Sequence, residues 1–193
     1  MLTDLPNVLT LSRIGAIPLL VLLAALRAPL PDFLAALVFT LAGITDYLDG
    51  YLARERQQLS DLGRMLDPIA DKLLVGATLM ALVGFGRLPE YGLYPAIVIM
   101  LREILVSGLR EYLAEIRVGL PVTKLAKWKT GVQMVALGLL LLGSDGARVM
   151  GLGFLPMGWI GGTLLWLAAV LTLITGWDYL TAGLRHAGIS ADA

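Results

Sequence analysis

Two neighbouring stretches decide how this chain is read: Asp46-Tyr47-Leu48-Asp49-Gly50-Tyr51-Leu52-Ala53-Arg54, then Gly63-Arg64-Met65-Leu66-Asp67-Pro68-Ile69-Ala70-Asp71-Lys72. Both lie in helical context. Asp46 and Asp49 are spaced i,i+3 and Asp67 and Asp71 are spaced i,i+4, so each pair shares one helix face. The short polar link from Glu55 to Leu62 predicts two antiparallel helices. At ~1.5 Å per residue, Asp46 lies about 12 Å along its helix from Arg54, so the acids reach below the level of lipid headgroups. Several anions gathered there are costly unless something neutralises them. Two divalent cations would balance four aspartates. Oxygen ligands without His or Cys favour Mg²⁺ or Mn²⁺ over zinc. Gly50, Ala53 and Gly63 strip bulk from the same faces, which suits the close approach of a diphosphate and, equally, simple helix packing. The competing reading of the acids is structural salt bridges to Arg54, Arg64 and Lys72.

The surroundings of these stretches are apolar. Of 193 residues, 58% are hydrophobic and 16% charged, there is no cysteine, and mean hydropathy is +0.80. Soluble domains are nearer 45–50% apolar and about 25% charged. The expected fold is therefore all-α and integral to the membrane. An interfacial helix at residues 1–12 leads into six transmembrane helices within 13–180, and a tail follows at 181–193, all in one membrane domain. The spans are expected near 13–27, 33–54, 64–85, 92–116, 127–143 and 159–180. Breakers fill the connectors: Pro29 and Pro31, Pro89 and Gly92, Gly119 and Pro121, and the Gly-rich run from Gly143 to Gly158. The first 28 residues do not read as a secretory signal, because Asp4 precedes any cation and Arg13 is the only one before the apolar run.

With 15 basic and 15 acidic residues the formal net charge is zero, which removes nucleic acid as a partner. Position carries more information than the sum. Arg27, Arg87 and Arg148 fall in or beside the odd-numbered loops, while the other twelve Lys and Arg lie toward the opposite ends of the spans. The positive-inside rule then puts both termini, and the acid cluster, in or facing the cytoplasm.

The spacing D-x2-D-G-x2-A-R-x8-G-x3-D-x3-D is matched without a gap by Asp46, Asp49, Gly50, Ala53, Arg54, Gly63, Asp67 and Asp71. It resembles the signature of the CDP-alcohol phosphotransferases, membrane enzymes of phospholipid synthesis. That resemblance implies a six-helix fold, usually homodimeric, and a cytidine diphosphate lipid held at a site with two divalent cations. It implies that Asp46, Asp49, Asp67 and Asp71 bind metal and that Asp71 also serves as general base. It further implies that Asp49, Gly50, Ala53, Arg54, Gly63 and Asp67 lie against the CDP moiety. Asn7, Thr10 and Arg13, which match an N-x2-T-x2-R approach to the first helix, would join them at the nucleotide.

The acceptor must be read from later spans. Arg102-Glu103 and Arg110-Glu111 are eight residues apart, two turns plus roughly 80°, and so lie on adjoining faces that can border one cavity. Lys124, Lys127 and Lys129 follow at the start of the fifth span. Cations beside a cluster of acids suit a phosphate-bearing acceptor, through charge-assisted hydrogen bonds; a neutral alcohol such as serine or inositol would not need them. Positive-inside anchoring is the alternative for the lysines, and local pairing with Glu103 and Glu111 for the arginines. The blocks Arg102-Glu103…Ser107…Arg110-Glu111 and Lys127-Trp128-Lys129-Thr130…Gln133-Met134 resemble segments of the phosphatidylglycerophosphate synthases. Ala126 departs from the glycine usual there. This resemblance implies transfer of a phosphatidyl group from CDP-diacylglycerol to sn-glycerol 3-phosphate, releasing CMP, in a bacterial inner membrane. It assigns the acceptor phosphate to Arg102, Arg110, Lys124, Lys127 and Lys129. The rivals are the same chemistry on phosphatidylglycerol or an inositol phosphate and, from another class, a divalent-cation transporter.

The remaining residues have plainer readings. His186 is an interfacial tail residue and Asp178 a helix-end charge. Trp128, Trp159, Trp177, Tyr91, Tyr94 and Tyr179 are interfacial anchors, Trp166 packs or meets lipid, and Gly161, Gly162, Ala168 and Ala169 serve helix packing.

Overall fold

The structure, a computed structural model, describes residues 5–56, 61–116 and 123–186. Within helices, the side chains of 5, 6, 47–56, 61, 62, 64 and 184–186 are outside the description. The described residues form six helices and no strand: α1 (Leu5–Ala25), α2 (Pro29–Arg56), α3 (Asp61–Gly84), α4 (Leu93–Glu115), α5 (Lys124–Val149) and α6 (Met157–His186).

Four of these contain windows long and apolar enough to cross a membrane: Asn7–Ala25, Pro29–Asp46, Lys124–Val149 and Met157–Gly183. The helices α3 and α4 are long enough too, about 35 Å at 1.5 Å per residue, but carry their charges toward one end. Large apolar side chains stand exposed along every helix, among them Leu22, Leu41, Met80, Leu101, Val135 and Leu173. A soluble monomer does not tolerate apolar surface on that scale, whereas lipid covers it without cost. The chain is an integral membrane protein.

Several boundaries differ from expectation. Residues 5–12 are not a separate interfacial helix but the first two turns of α1. The last helix runs on to His186, so residues 181–186 continue it. The fifth helix does stop near 143, because Gly143 adopts φ 56, ψ 178, a conformation that favours glycine, and a short second helix then reaches Val149.

Helix α1 packs on α2 and α3, α2 on α5, α5 on α6, and α6 on α4. By contrast, α3 touches α4 and α5 only sparsely. The core lies between the well-packed helices, around Leu20, Phe39, Leu74, Leu137, Leu141 and Leu165. Small residues allow the close approaches. A side chain at Gly161 would strike Leu140 at 2.8 Å, one at Gly162 would strike Pro89 at 2.5 Å, and Ala168 and Ala169 are buried. Exposed Trp128, Trp159 and Trp177, and the stacked Tyr91 and Tyr94 at the start of α4, fit interfacial positions; exposed Trp166 faces lipid.

Candidate active site

Where α3 diverges from α4 and α5, a cavity of 1410 Å³ opens at the end of the bundle that holds the acidic motif. Asp46 from α2 and Asp71 from α3 line one side, with Lys72 and Pro68. The other side comes from α4 and α5: Arg102, Glu103, Ser107, Arg110 and Glu111, then Lys127, Lys129, Thr130 and Gln133. Acids and bases that are distant in sequence thus share one space.

The acids are held from α1. The Thr10 hydroxyl donates to Asp67 Oδ1 at 2.5 Å, and Arg13 Nη1 donates to Asp46 Oδ1 at 2.7 Å. Asn7, Thr10 and Arg13 are all buried. Their spacing of three puts them on one face of α1, the face that meets α2 and α3. Asp46 therefore pairs with Arg13; the side chains of Arg54 and Arg64 lie outside the described residues. So do the side chains of Asp49 and Ala53, and with them the CDP contacts expected there; Gly50 lies on the same helical stretch. Gly63 is buried on the first turn of α3.

On the basic side Glu103 is the hub. Its Oε1 accepts from Lys129 and lies 3.7 Å from Arg102 Nη1. Arg102 reaches across to α6, where Nη2 donates to Thr175 Oγ1 at 3.2 Å and the guanidinium sits 5.6 Å from the centre of the Tyr179 ring. Gly176 makes room for that passage, since a Cβ there would lie 3.0 Å from Arg102 Cγ. Tyr179 is thus a buried wall of the cavity and not an interfacial anchor. Lys129 is buried, while Arg110 and Lys127 are exposed to the cavity mouth. Lys124 is not brought to the cavity: it is the exposed first residue of α5, just after Thr123, whose Oγ1 caps the helix by accepting from Ala126 N.

Sequence reasoning gave no site role to Glu103, Gln133 or Tyr179. The first two stood in the quoted blocks, and burial of polar side chains on a lipid-spanning helix is the signal that singles them out.

The chemistry of the donor set fits a hard divalent cation: Asp46, Asp67 and Asp71 offer only oxygen. Among the described residues no three acids, His or Cys stand close enough to hold an ion by themselves. Asp49, the motif's fourth acid, is the one whose side chain is not described.

The family model for CDP-alcohol phosphatidyltransferase matches residues 3–174. The chain belongs to the CDP-alcohol phosphatidyltransferase family. Among curated relatives, the CDP-diacylglycerol–glycerol-3-phosphate 3-phosphatidyltransferase of Rickettsia bellii is 48% identical over 93% of this chain and 94% of its own length. Proteins of the same name are 39% identical in Cereibacter sphaeroides, over 95% and 96%, and 35% identical in Bacillus subtilis, over 92% and 94%.

Proposed function

We propose that the chain transfers the phosphatidyl group of CDP-diacylglycerol to sn-glycerol 3-phosphate, giving phosphatidylglycerophosphate and CMP. The observation that carries this is one cavity with carboxylates on one side and four cations, Arg102, Arg110, Lys127 and Lys129, on the other. The names of the full-length relatives support the same acceptor.

The diphosphate of the donor lies against the acidic motif of α2 and α3, with Gly50, Ala53, Arg54 and Gly63 along the nucleotide. Asp46, Asp49, Asp67 and Asp71 would hold two divalent ions, Mg²⁺ or Mn²⁺, whose positive charge would offset that of the diphosphate. The role of Thr10 and Arg13 is positional: each fixes one oxygen of a motif acid and so orients that carboxylate. The acceptor phosphate is bound by Arg102, Arg110, Lys127 and Lys129. Asp71, on the acidic side of the same cavity, takes the proton of the attacking C1 hydroxyl. That oxygen forms a bond to the phosphorus bearing the diacylglycerol, and the bond to CMP breaks with its electron pair.

Six membrane crossings with both termini and the cavity on the cytoplasmic side of a bacterial inner membrane let CMP and glycerol phosphate exchange with water while acyl chains stay in lipid. Two chains associate as a homodimer. The deciding experiment supplies purified protein with CDP-diacylglycerol, Mg²⁺ or Mn²⁺ and alternative acceptors. CMP release with glycerol 3-phosphate is expected. Release with an inositol phosphate or phosphatidylglycerol but not with glycerol 3-phosphate overturns the acceptor, and ion flux into liposomes without CDP-lipid turnover overturns the reaction.

A further inference from the structure

Gln133 lies on α5 one turn beyond Lys129 and lines the cavity, yet only 2% of it is exposed. Its Oε1 has no hydrogen-bond partner among the described residues. A buried amide oxygen left unpaired is costly, and such groups are rare enough to need a reason. The cations around it suit a phosphate, but an amide carbonyl oxygen does not, because it is itself an acceptor. It suits a hydroxyl.

The proposed acceptor carries two hydroxyls. One attacks; the other, at C2, must also leave water when the molecule enters the cavity. We propose that the Gln133 side-chain amide binds the non-reacting C2 hydroxyl of glycerol 3-phosphate, which makes Gln133 a specificity-determining residue. The inference rests on the acceptor assignment above. With Oε1 as the unpaired atom, the hydroxyl donates to it. With the phosphate on the cations and the C2 hydroxyl on Gln133, the third substituent, the C1 hydroxyl, is directed to the side of the cavity that carries Asp71. Three fixed points also distinguish the two mirror-image glycerol phosphates.

The test measures CMP release by wild type, Gln133→Met and Gln133→Leu with two acceptors, glycerol 3-phosphate and 1,3-propanediol monophosphate, which lacks only the C2 hydroxyl. Wild type is expected to favour glycerol 3-phosphate by about tenfold or more in kcat/KM, as a buried group left unpaired by the analogue requires. In both variants that ratio should fall to within about twofold, through loss with glycerol 3-phosphate alone. Preference for sn-glycerol 3-phosphate over its mirror image should fall with it. Because the ratio is taken on one preparation, partial unfolding cancels. Gln133→Asn, which keeps the amide one methylene shorter, gives an intermediate ratio and serves if the apolar variants do not accumulate. A wild-type ratio near one, or a variant that keeps the wild-type ratio or loses both acceptors equally, overturns the inference. Wild type that turns over neither acceptor instead removes the acceptor assignment on which it rests.

Discussion

The two ends of this helical bundle use buried charge in opposite ways. At the end away from the cavity, Arg87, in the turn after α3, pairs with Asp32 on the first turn of α2 at 2.5 Å. The same guanidinium donates to the carbonyl oxygens of Ala24 at 2.7 Å and Leu141 at 3.2 Å. Asp32 and Arg87 are almost wholly withdrawn from the surface, and they tie the end of α1, the start of α2 and the part of α5 just before Gly143 to one point. At the cavity end Asp71, Arg110 and Lys127 face open space, and Glu103 is shared between two cations. Charge that is closed upon itself serves the fold; charge that faces a cavity remains available to a ligand.

Four substitutions and treatments bear on that difference. Removing divalent ions with a chelator should abolish CMP release, with recovery on adding Mg²⁺ or Mn²⁺; activity that survives exhaustive chelation contradicts the role given to the four aspartates. Next in size, Asp71→Asn should lower turnover by roughly 10²- to 10⁴-fold, the range typical of a general base, while CDP-lipid binding persists. Full activity in that variant removes Asp71 as the base. At the opposite end, Arg87→Leu leaves Asp32 buried without its partner and should cost about 3–5 kcal/mol of stability. This would be read as a lower thermal midpoint in detergent, and a second change, Asp32→Leu, should restore part of it. An unchanged KM for glycerol 3-phosphate in the folded fraction would confirm that this pair is structural, whereas a raised KM would erase the contrast between the ends. The smallest effect is expected at Tyr179→Leu, which removes the ring beside Arg102, worth about 0.5–2 kcal/mol as a cation–π contact. It should appear in KM for the acceptor and leave KM for the lipid donor alone.

Much of this was legible in the sequence. Apolar runs find the six helices, though α1 starts eight residues before and α6 ends six residues after the expected bounds, because a lipid-spanning segment must satisfy its backbone internally and a helix does so. The spacing of Asp46, Asp49, Asp67 and Asp71 singles out the acidic side, and Arg102, Arg110, Lys127 and Lys129 do fall together across from it. What escaped depends on contacts between distant positions. Arg87 and Asp32 are 55 residues apart, and nothing local to either announces the other. Tyr179 near a span end has the look of an anchor until α4 is packed against α6 and Arg102 is laid beside its ring. Lys124 is three residues from the next lysine of its cluster, yet the helix begins there and leaves it out of the cavity lining. The break at Gly143 shows only as one glycine among many until its backbone angles are known.

Glu103 gives the basic side an internal counter-ion. The carboxylate pairs with Lys129 and approaches Arg102, so two partly buried cations have an anion beside them. An incoming phosphate does not meet their full attraction; it gains only the difference between its own contacts and those Glu103 gives up. If the proposed acceptor binds there, its binding is an exchange of one anion for another at Arg102 and Lys129.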